Sequence, residues 1–394
     1  MVETATIREK LRSQMPITQR YAYLDHAAVA PLPNSAANAI KRFADQATRE
    51  GDTRWLEWSA AIQRTRKLAG QMIGATDSEI ALVSNTTHGI GIVAEGFPWQ
   101  PGDNVAVPEN EFPSNLLPWK NLSRRGVEVR LVPVAANGAL TVEAISNCID
   151  QKTRIVSVSW VGFSSGFRCD LKAISQLVHD RGCLFFVDAI QGLGAFPIDV
   201  QCIDIDFLAA DGHKWMLGPE GAGVLFIKEP HLDRLATIGI GWASLAAAGF
   251  DPKSVQLKPS AAKFEGGSSN MVGMMALGES LSLLHELGAG RSGGGFDEVI
   301  LENVLELSEL LHASGFQSSL PEAVENRSGI LGVRWPEADQ VGEAAYLNAR
   351  KFLLGLDVVV SVRGGRLRAA THAYNDRHDH QRLVDGLVQF RSHA

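Results

Sequence analysis

Apolar runs of five to eight residues recur along the first part of the chain, separated by stretches of helical period. "EIALVSN" (79–85), "DNVAVPE" (103–109), "VEVRLVPV" (127–134), "RIVSVSWV" (154–161), "CLFFVDA" (183–189) and "DFLAAD" (206–211) read as strands. "GVLFIK" (223–228) reads as one more, with an antiparallel direction open to it. Several are apolar on both faces, as strands of a parallel sheet covered by helices should be. "DLKAISQLVHDRG" begins with Asp170, a good N-cap, keeps Leu171, Ile174, Leu177 and Val178 on one face, and stops at Gly182. A crossover helix is predicted there. The alternation implies an α/β fold with a doubly wound, mostly parallel sheet, whose ligands bind at the carboxyl ends of the strands.

The texture changes after about residue 235. Residues 239–270 are rich in Gly, Ala, Ser and Pro and too long for a simple connection, so they read as a functional loop or lid. "MVGMMALGESLSLLHELG" (271–288) and "FDEVILENVLELSELLHASG" (296–315) follow with helical spacing, then strand-like "GILGVRW" and "LDVVVSVRG". A chain of 394 residues exceeds what one core supports. The expected division is a large domain over 20–284 and a small α+β domain over 285–394, with residues 1–19 packing on the small one.

Composition narrows the function. The 45% apolar and 21% charged fractions are those of a soluble globular chain, and no apolar run approaches the roughly 18 residues of a membrane span. The polar N-terminus lacks the apolar core of a secretory signal, so a cytoplasmic protein is expected. The net charge of -7 is spread without long blocks, which argues against a nucleic-acid surface and for a small-molecule ligand. Cys148, Cys169, Cys183 and Cys202 show no CxxC spacing and read as buried free thiols, with no metal site expected.

The strand ends carry the chemistry. After "EIALV", Ser84, Asn85, Thr86 and Thr87 stand where a helix begins, an arrangement that caps the helix or holds an anion. The same segment contains Gly89, Gly91 and Ala94, a GxGxxA match that leaves a nicotinamide-binding dehydrogenase as an alternative class. After "CLFFV" comes Asp188, an acid at a buried strand end that needs a cationic or hydrogen-bonding partner, or else caps the next turn, with Gln191 nearby. After "DFLAAD" comes "GHKW", with Lys214 beside His213 and Asp211. An anion cradle, a buried aspartate and a lysine at three strand ends of one sheet are what pyridoxal 5'-phosphate (PLP) requires: a phosphate site, a partner for its ring nitrogen, and an amine to form a Schiff base.

With these residues in place, the sequence resembles the class V aminotransferase family of PLP enzymes, which includes cysteine desulfurases, isopenicillin N epimerase-like proteins and C–S lyases. The likeness runs from "YLDHAAVAPLP" (23–33) to "RLRAATHAYND" (366–376), and is strongest in the ordered set "DAIQG", "DGHKWMLGPEGAG" and "KFEGGSSN". It implies PLP fold type I and a homodimer. By resemblance Lys214 bonds the cofactor, Asp188 meets the pyridine nitrogen, Gln191 reaches the ring oxygen, and Thr86, Thr87 and His213, with Asp211 beside them, hold the phosphate. Ser268 stands where a hydroxyl residue of the partner subunit completes that site. Phe112 stands where an aromatic stacks on the ring, often a histidine in desulfurases, and phenylalanine cannot exchange a proton. Phe163 replaces a desulfurase asparagine. Arg368 matches the arginine that binds the substrate carboxylate, with Arg363 close by, and Ala27 and Ala28 match the segment whose backbone approaches the substrate.

The desulfurase cysteine is missing: "VSVRGGRLRAATH" runs straight through where its loop would stand. Persulfide formation by that route is therefore not expected. The resemblance implies chemistry at the α-carbon of an amino acid with Lys214 as general base, aminotransfer being the leading expectation and C–S lysis or epimerisation the alternatives.

Overall fold

Seven strands build the central sheet: β1 (Ile80–Val83), β2 (Asn104–Pro108), β3 (Glu128–Val132), β4 (Thr153–Ser159), β5 (Leu184–Asp188), β6 (Phe207–Asp211) and β7 (Gly223–Ile227). The computed structural model describes residues 4–246 and 255–393. Each strand matches an apolar run of the sequence to within one residue, and β1, β2, β6 and β7 are buried at every position. The order across the sheet is β1-β7-β6-β5-β4-β2-β3. β2 through β6 pair in parallel, while β7 runs antiparallel to both β6 and β1. The carboxyl ends of β1, β2, β4, β5 and β6 therefore open on the same edge, where an α/β sheet gathers its ligands.

The helices that matter here are α1 (Thr4–Ser13), α2 (Asn34–Glu50), α3 (Trp55–Ile73), α4 (Thr86–Gly96), α5 (Leu171–Asp180), α6 (Met271–Glu286), α7 (Phe296–Ala313), α8 (Glu343–Gly355) and α9 (Arg377–His393). The predicted crossover helix is α5: the Asp170 side chain accepts the Ala173 N–H, and Gly182 takes a left-handed φ of 71° beyond its end. The apolar runs assign nothing to residues 34–73, where α2 and α3 form and pack with α6. Their signal was available in the spacing, since Ala36 and Ala39 of α2 and Ile62, Ala69 and Ile73 of α3 turn to one buried side.

A second, antiparallel sheet has the order β10-β11-β9-β8, from β8 (Gln317–Ser318), β9 (Ile330–Arg334), β10 (Ser361–Arg363) and β11 (Arg366–Ala370). The run "LDVVVSVRG" is broken into two strands: Val358–Val359 pairs with Ala22–Tyr23, and only Ser361–Arg363 joins this sheet. α1 reaches α7 and α9 through Arg8 to Asn303 (3.0 Å) and Arg12 to Asp379 (2.8 Å). Of the segment read as a lid, residues 247–254 lie outside the described residues; on either side of them Leu245 and Leu257 form an antiparallel bridge. No described helix is long and apolar enough to cross a membrane.

The cysteines depart from expectation. Cys169 and Cys183 are buried, but Cys148 is half-buried and Cys202 exposed. Cys202 lies in the short turn Val200–Ile203, capped by Asp199, whose apolar residues do not all face inward.

One buried ion pair braces the edge strand of the main sheet. Glu265 meets Arg66 of α3 and also accepts the Leu82 N–H of β1 at 2.9 Å, while Arg66 donates to Ile80 O at 2.7 Å. Glu265→Ala leaves a buried guanidinium and a strand N–H without their acceptor. Its expected cost is about 3–5 kcal/mol, read from urea unfolding; a loss of only a few tenths would mean the pair is solvated.

Candidate active site

The turn after β6 is built to hold one amine. Gly212 donates to Ala222 O, and a Cβ at that position would stand 2.6 Å from the same oxygen, so only glycine fits. The turn closes through Gly218 N–H to Gly212 O (2.8 Å) and Leu217 N–H to Lys214 O (3.1 Å), with Leu217 in the left-handed region at φ 56°. A non-glycine residue there costs roughly 1–3 kcal/mol, and it is buried packing that holds it. The result is Lys214, 8% exposed, facing the cavity at the strand ends.

Burial lowers the Lys214 amine from 10.5 to about 8, with Arg368 and Arg363 adding to the shift and Asp188 and Asp211 opposing it. Asp188, at the tip of β5, is pushed up to about 6 by burial, against the pull of the Ile190 N–H and of Lys214. Its Oδ1 accepts the Ile190 N–H at 3.0 Å, and among the described residues no protein group donates to Oδ2. Gln191 is fixed at both ends: its Oε1 accepts the Trp215 indole N–H (2.9 Å) and its Nε2 donates to Ala27 O (2.9 Å). Indole is a donor only, so the amide orientation is set, and one Nε2 proton is left for a further acceptor.

The opposite end of the cavity is the start of α4. Asn85 caps the helix by accepting the His88 N–H at 2.8 Å, and Thr86 Oγ accepts the Asp211 N–H at 3.0 Å, locking α4 to the β6 tip. The Thr86 hydroxyl proton and the free N–H groups of the first turn remain available to an anion. His213 Nδ1 stands 3.0 Å from Asp211 Oδ2 but out of line for a hydrogen bond, and Asp211 Oδ1 is buried with no partner among the described residues. The GxGxxA match is corrected here: its glycines lie inside α4, not in a strand-to-helix turn. Gly89 is there because a Cβ would meet Ala209 Cβ at 2.9 Å, and Gly91 faces open space.

Between these ends the cavity wall is apolar. The Phe112 ring centroid lies 5.7 Å from Lys214 Nζ and makes an edge contact with Phe163 at 5.3 Å. Arg368, 1% exposed, has three of its five N–H groups in use: Nε to Ser361 Oγ (3.1 Å), Nη1 to Phe163 O (2.7 Å) and Nη2 to Asp25 Oδ1 (3.1 Å). One N–H on each terminal nitrogen is left, the fork that a carboxylate takes.

One cavity thus gathers Ala27, Ala28, Thr86, Thr87, Phe112, Phe163, Asp188, Gln191, Asp211, His213, Lys214, Arg363 and Arg368. Ser268 is not among them; it lines a separate cavity with Trp55 and Trp242. Reading the sequence missed Asp25 and Ser361, which hold Arg368, and Ser114, whose Oγ accepts from Thr87 at 2.8 Å. The Asp25 signal was present in "YLDHAAVAP", two residues from Ala27. The donors fit PLP: free helix N–H groups and a hydroxyl for a phosphate, an unmatched carboxylate oxygen for a ring nitrogen, an amide proton for the ring oxygen, and a lysine facing them.

Fold and site together define a PLP-dependent enzyme of fold type I. The chain belongs to the class V aminotransferase family, whose profile matches residues 22–355. It is 30% identical over 404 residues to a Methanothermobacter thermautotrophicus protein named "Probable cysteine desulfurase", covering 97% of each chain. It is 30% identical over 313 residues to a cysteine desulfurase of Salmonella typhimurium, covering 76% of each. Among solved structures, the apo cysteine desulfurase of Thermococcus onnurineus superposes with a TM-score of 0.87 at 22% identity, over 98% of both chains. The cystine C–S lyase C-DES, bound to its product cysteine persulfide, also gives 0.87 at 22% identity, over 95% of this chain and 99% of that one.

Proposed function

We propose that this enzyme acts at the α-carbon of an amino acid with Lys214 as its one base, and that its reaction is β-elimination of the C–S lyase type. The observation that carries the reading is the makeup of the cavity. Among the described residues Lys214 is its only amine, the wall that Phe112 and Phe163 form has no proton to give, and no cysteine lines it. PLP, when bound, withdraws electrons from the substrate α-carbon. There Lys214 would take the α-proton, Asp188 would hold the charge of the ring nitrogen, and Arg368 would bind and orient the carboxylate. Epimerisation needs a second proton donor beside Lys214, and the Phe112 and Phe163 rings supply none. Transfer of sulfur to a protein thiol needs a cysteine, and Cys169 lies behind Phe163 with its thiol pushed up to about 12 by burial. Elimination releases sulfur without either group, which agrees with the C–S chemistry named for its relatives. Aminotransfer, the leading expectation from resemblance, uses the same single base and is the competing outcome.

The deciding experiment incubates holoenzyme with cysteine, cystine and other β-substituted amino acids. Pyruvate and sulfur release without an amino acceptor supports elimination; keto acid that appears only with an acceptor assigns aminotransfer instead. Homodimerisation belongs to the same proposal: Ser268 and the exposed Trp242 lie outside this chain's own cavity, where a second copy could bring a hydroxyl to the phosphate end.

Arg368 and Arg363 divide the carboxylate's recognition. Arg368 is matched by Asp25, so that pair is neutral and supplies geometry; Arg363 has no carboxylate partner among the described residues and supplies net positive charge. Arg368→Lys is expected to raise KM roughly 10- to 100-fold by losing the fork, whereas Arg363→Lys stays within about threefold. Equal losses in steady-state kinetics would refute the division.

A further inference from the structure

One half-buried carboxylate beside the cavity has no part in the chemistry above. Glu111 immediately precedes Phe112 in the loop after β2. It accepts the Ser159 backbone N–H through Oε1 at 2.6 Å and the Ser159 hydroxyl through Oε2 at 2.5 Å. Ser159 ends β4 and is paired in register with Asp188 at the end of β5. It also lines the main cavity on one side and, on the other, a small cavity that Glu111 shares with Phe163 and Cys169. A single side chain thus connects the loop bearing Phe112 to the strand tip beside Asp188. Two acids close together in a low-dielectric site do not both ionise readily.

We propose that Glu111 is a positioning residue of the active site: through its two hydrogen bonds with Ser159 it holds the Phe112 wall and the Asp188 tip in register. The proposal rests on Asp188 being the ring partner. Burial, and after it the charge of Asp188, push Glu111 up to about 7 against the pull of the Ser159 hydrogen bonds. Asp188 is also raised, to about 6, and is drawn down by Lys214. The titratable groups facing Glu111 are Asp188 on β5 and the Cys169 thiol ahead of α5; at about 12 the thiol stays neutral. As pH rises through about 7, Glu111 ionises and places a second negative charge beside Asp188.

Glu111→Gln keeps the side chain's shape, still accepts the Ser159 N–H, can donate its amide N–H to Ser159 Oγ as a protonated acid would, and cannot ionise. In the wild-type holoenzyme, the visible absorbance of the bound cofactor and kcat/KM are expected to titrate together with a midpoint at or below about 7, since a cationic ring nitrogen favours the ionised acid. In Glu111→Gln that step disappears, while PLP affinity and kcat/KM at pH 6 stay within about threefold of wild type. Glu111→Ala, which removes the tie, weakens PLP binding by roughly tenfold in equilibrium titration. Persistence of the step in Glu111→Gln, its absence from the wild type, or wild-type PLP affinity in Glu111→Ala each overturns the proposal. Those outcomes leave the Lys214 reading intact as long as borohydride still traps cofactor on the wild-type lysine. Failure of that trapping sinks the parent reading instead.

Discussion

Lys214→Ala is expected to yield a protein on which borohydride traps no cofactor, with kcat/KM lower by roughly 10³-fold or more. A positioned general base alone contributes about 10²–10⁴, and this residue also supplies the covalent attachment. The environment of the amine adds a second, independent test. Bonding to an aldehyde requires the neutral amine, and burial brings Lys214 from 10.5 to about 8. The neutral fraction grows as pH rises through the folded-state value, so the rate of cofactor capture by apoenzyme should be half-maximal near pH 8. Reductive trapping at a series of pH values measures it. A midpoint near 10.5, or cofactor trapped on the alanine variant, would show that another lysine does the work.

Asp188→Asn should lower kcat by roughly 10²–10³-fold while cofactor is still trapped on Lys214. Burial pushes Asp188 up to about 6 because it penalises the charge. A cationic ring nitrogen reverses that balance, since an opposite charge at hydrogen-bond distance favours the carboxylate. Asparagine has the same shape and no charge, so the ring loses the proton that makes it electron-withdrawing. The measurement pairs kcat with the visible spectrum. A variant within about threefold of wild type would reduce Asp188 to the cap of the turn at Ile190, a role that asparagine also fills.

Much of the site could be read from the sequence because its key residues follow directly on apolar strands. Asp188 closes "LFFVD", and Lys214 comes three residues after "FLAAD"; the periodicity that locates a strand also locates its carboxyl end. The supporting residues could not be read this way. Asp25 meets Arg368 across 343 positions, and Glu111 meets Ser159 across 48, with no local pattern linking either pair. The direction of β7 was open for a similar reason, since an apolar run buries equally well parallel or antiparallel.

The sequence alone therefore determined the strands, the order of the groups at their ends and the cofactor that these groups suit, since all of these are written in short-range spacing. Tertiary structure decided which donors remain unspent: one Nε2 proton of Gln191, the two outer N–H groups of Arg368 and the second oxygen of Asp188. It also decided the charge states, lowering Lys214 and raising Glu111 and Asp188. Both depend on how far each group is removed from water and on what meets it there, and those are set only when distant segments pack.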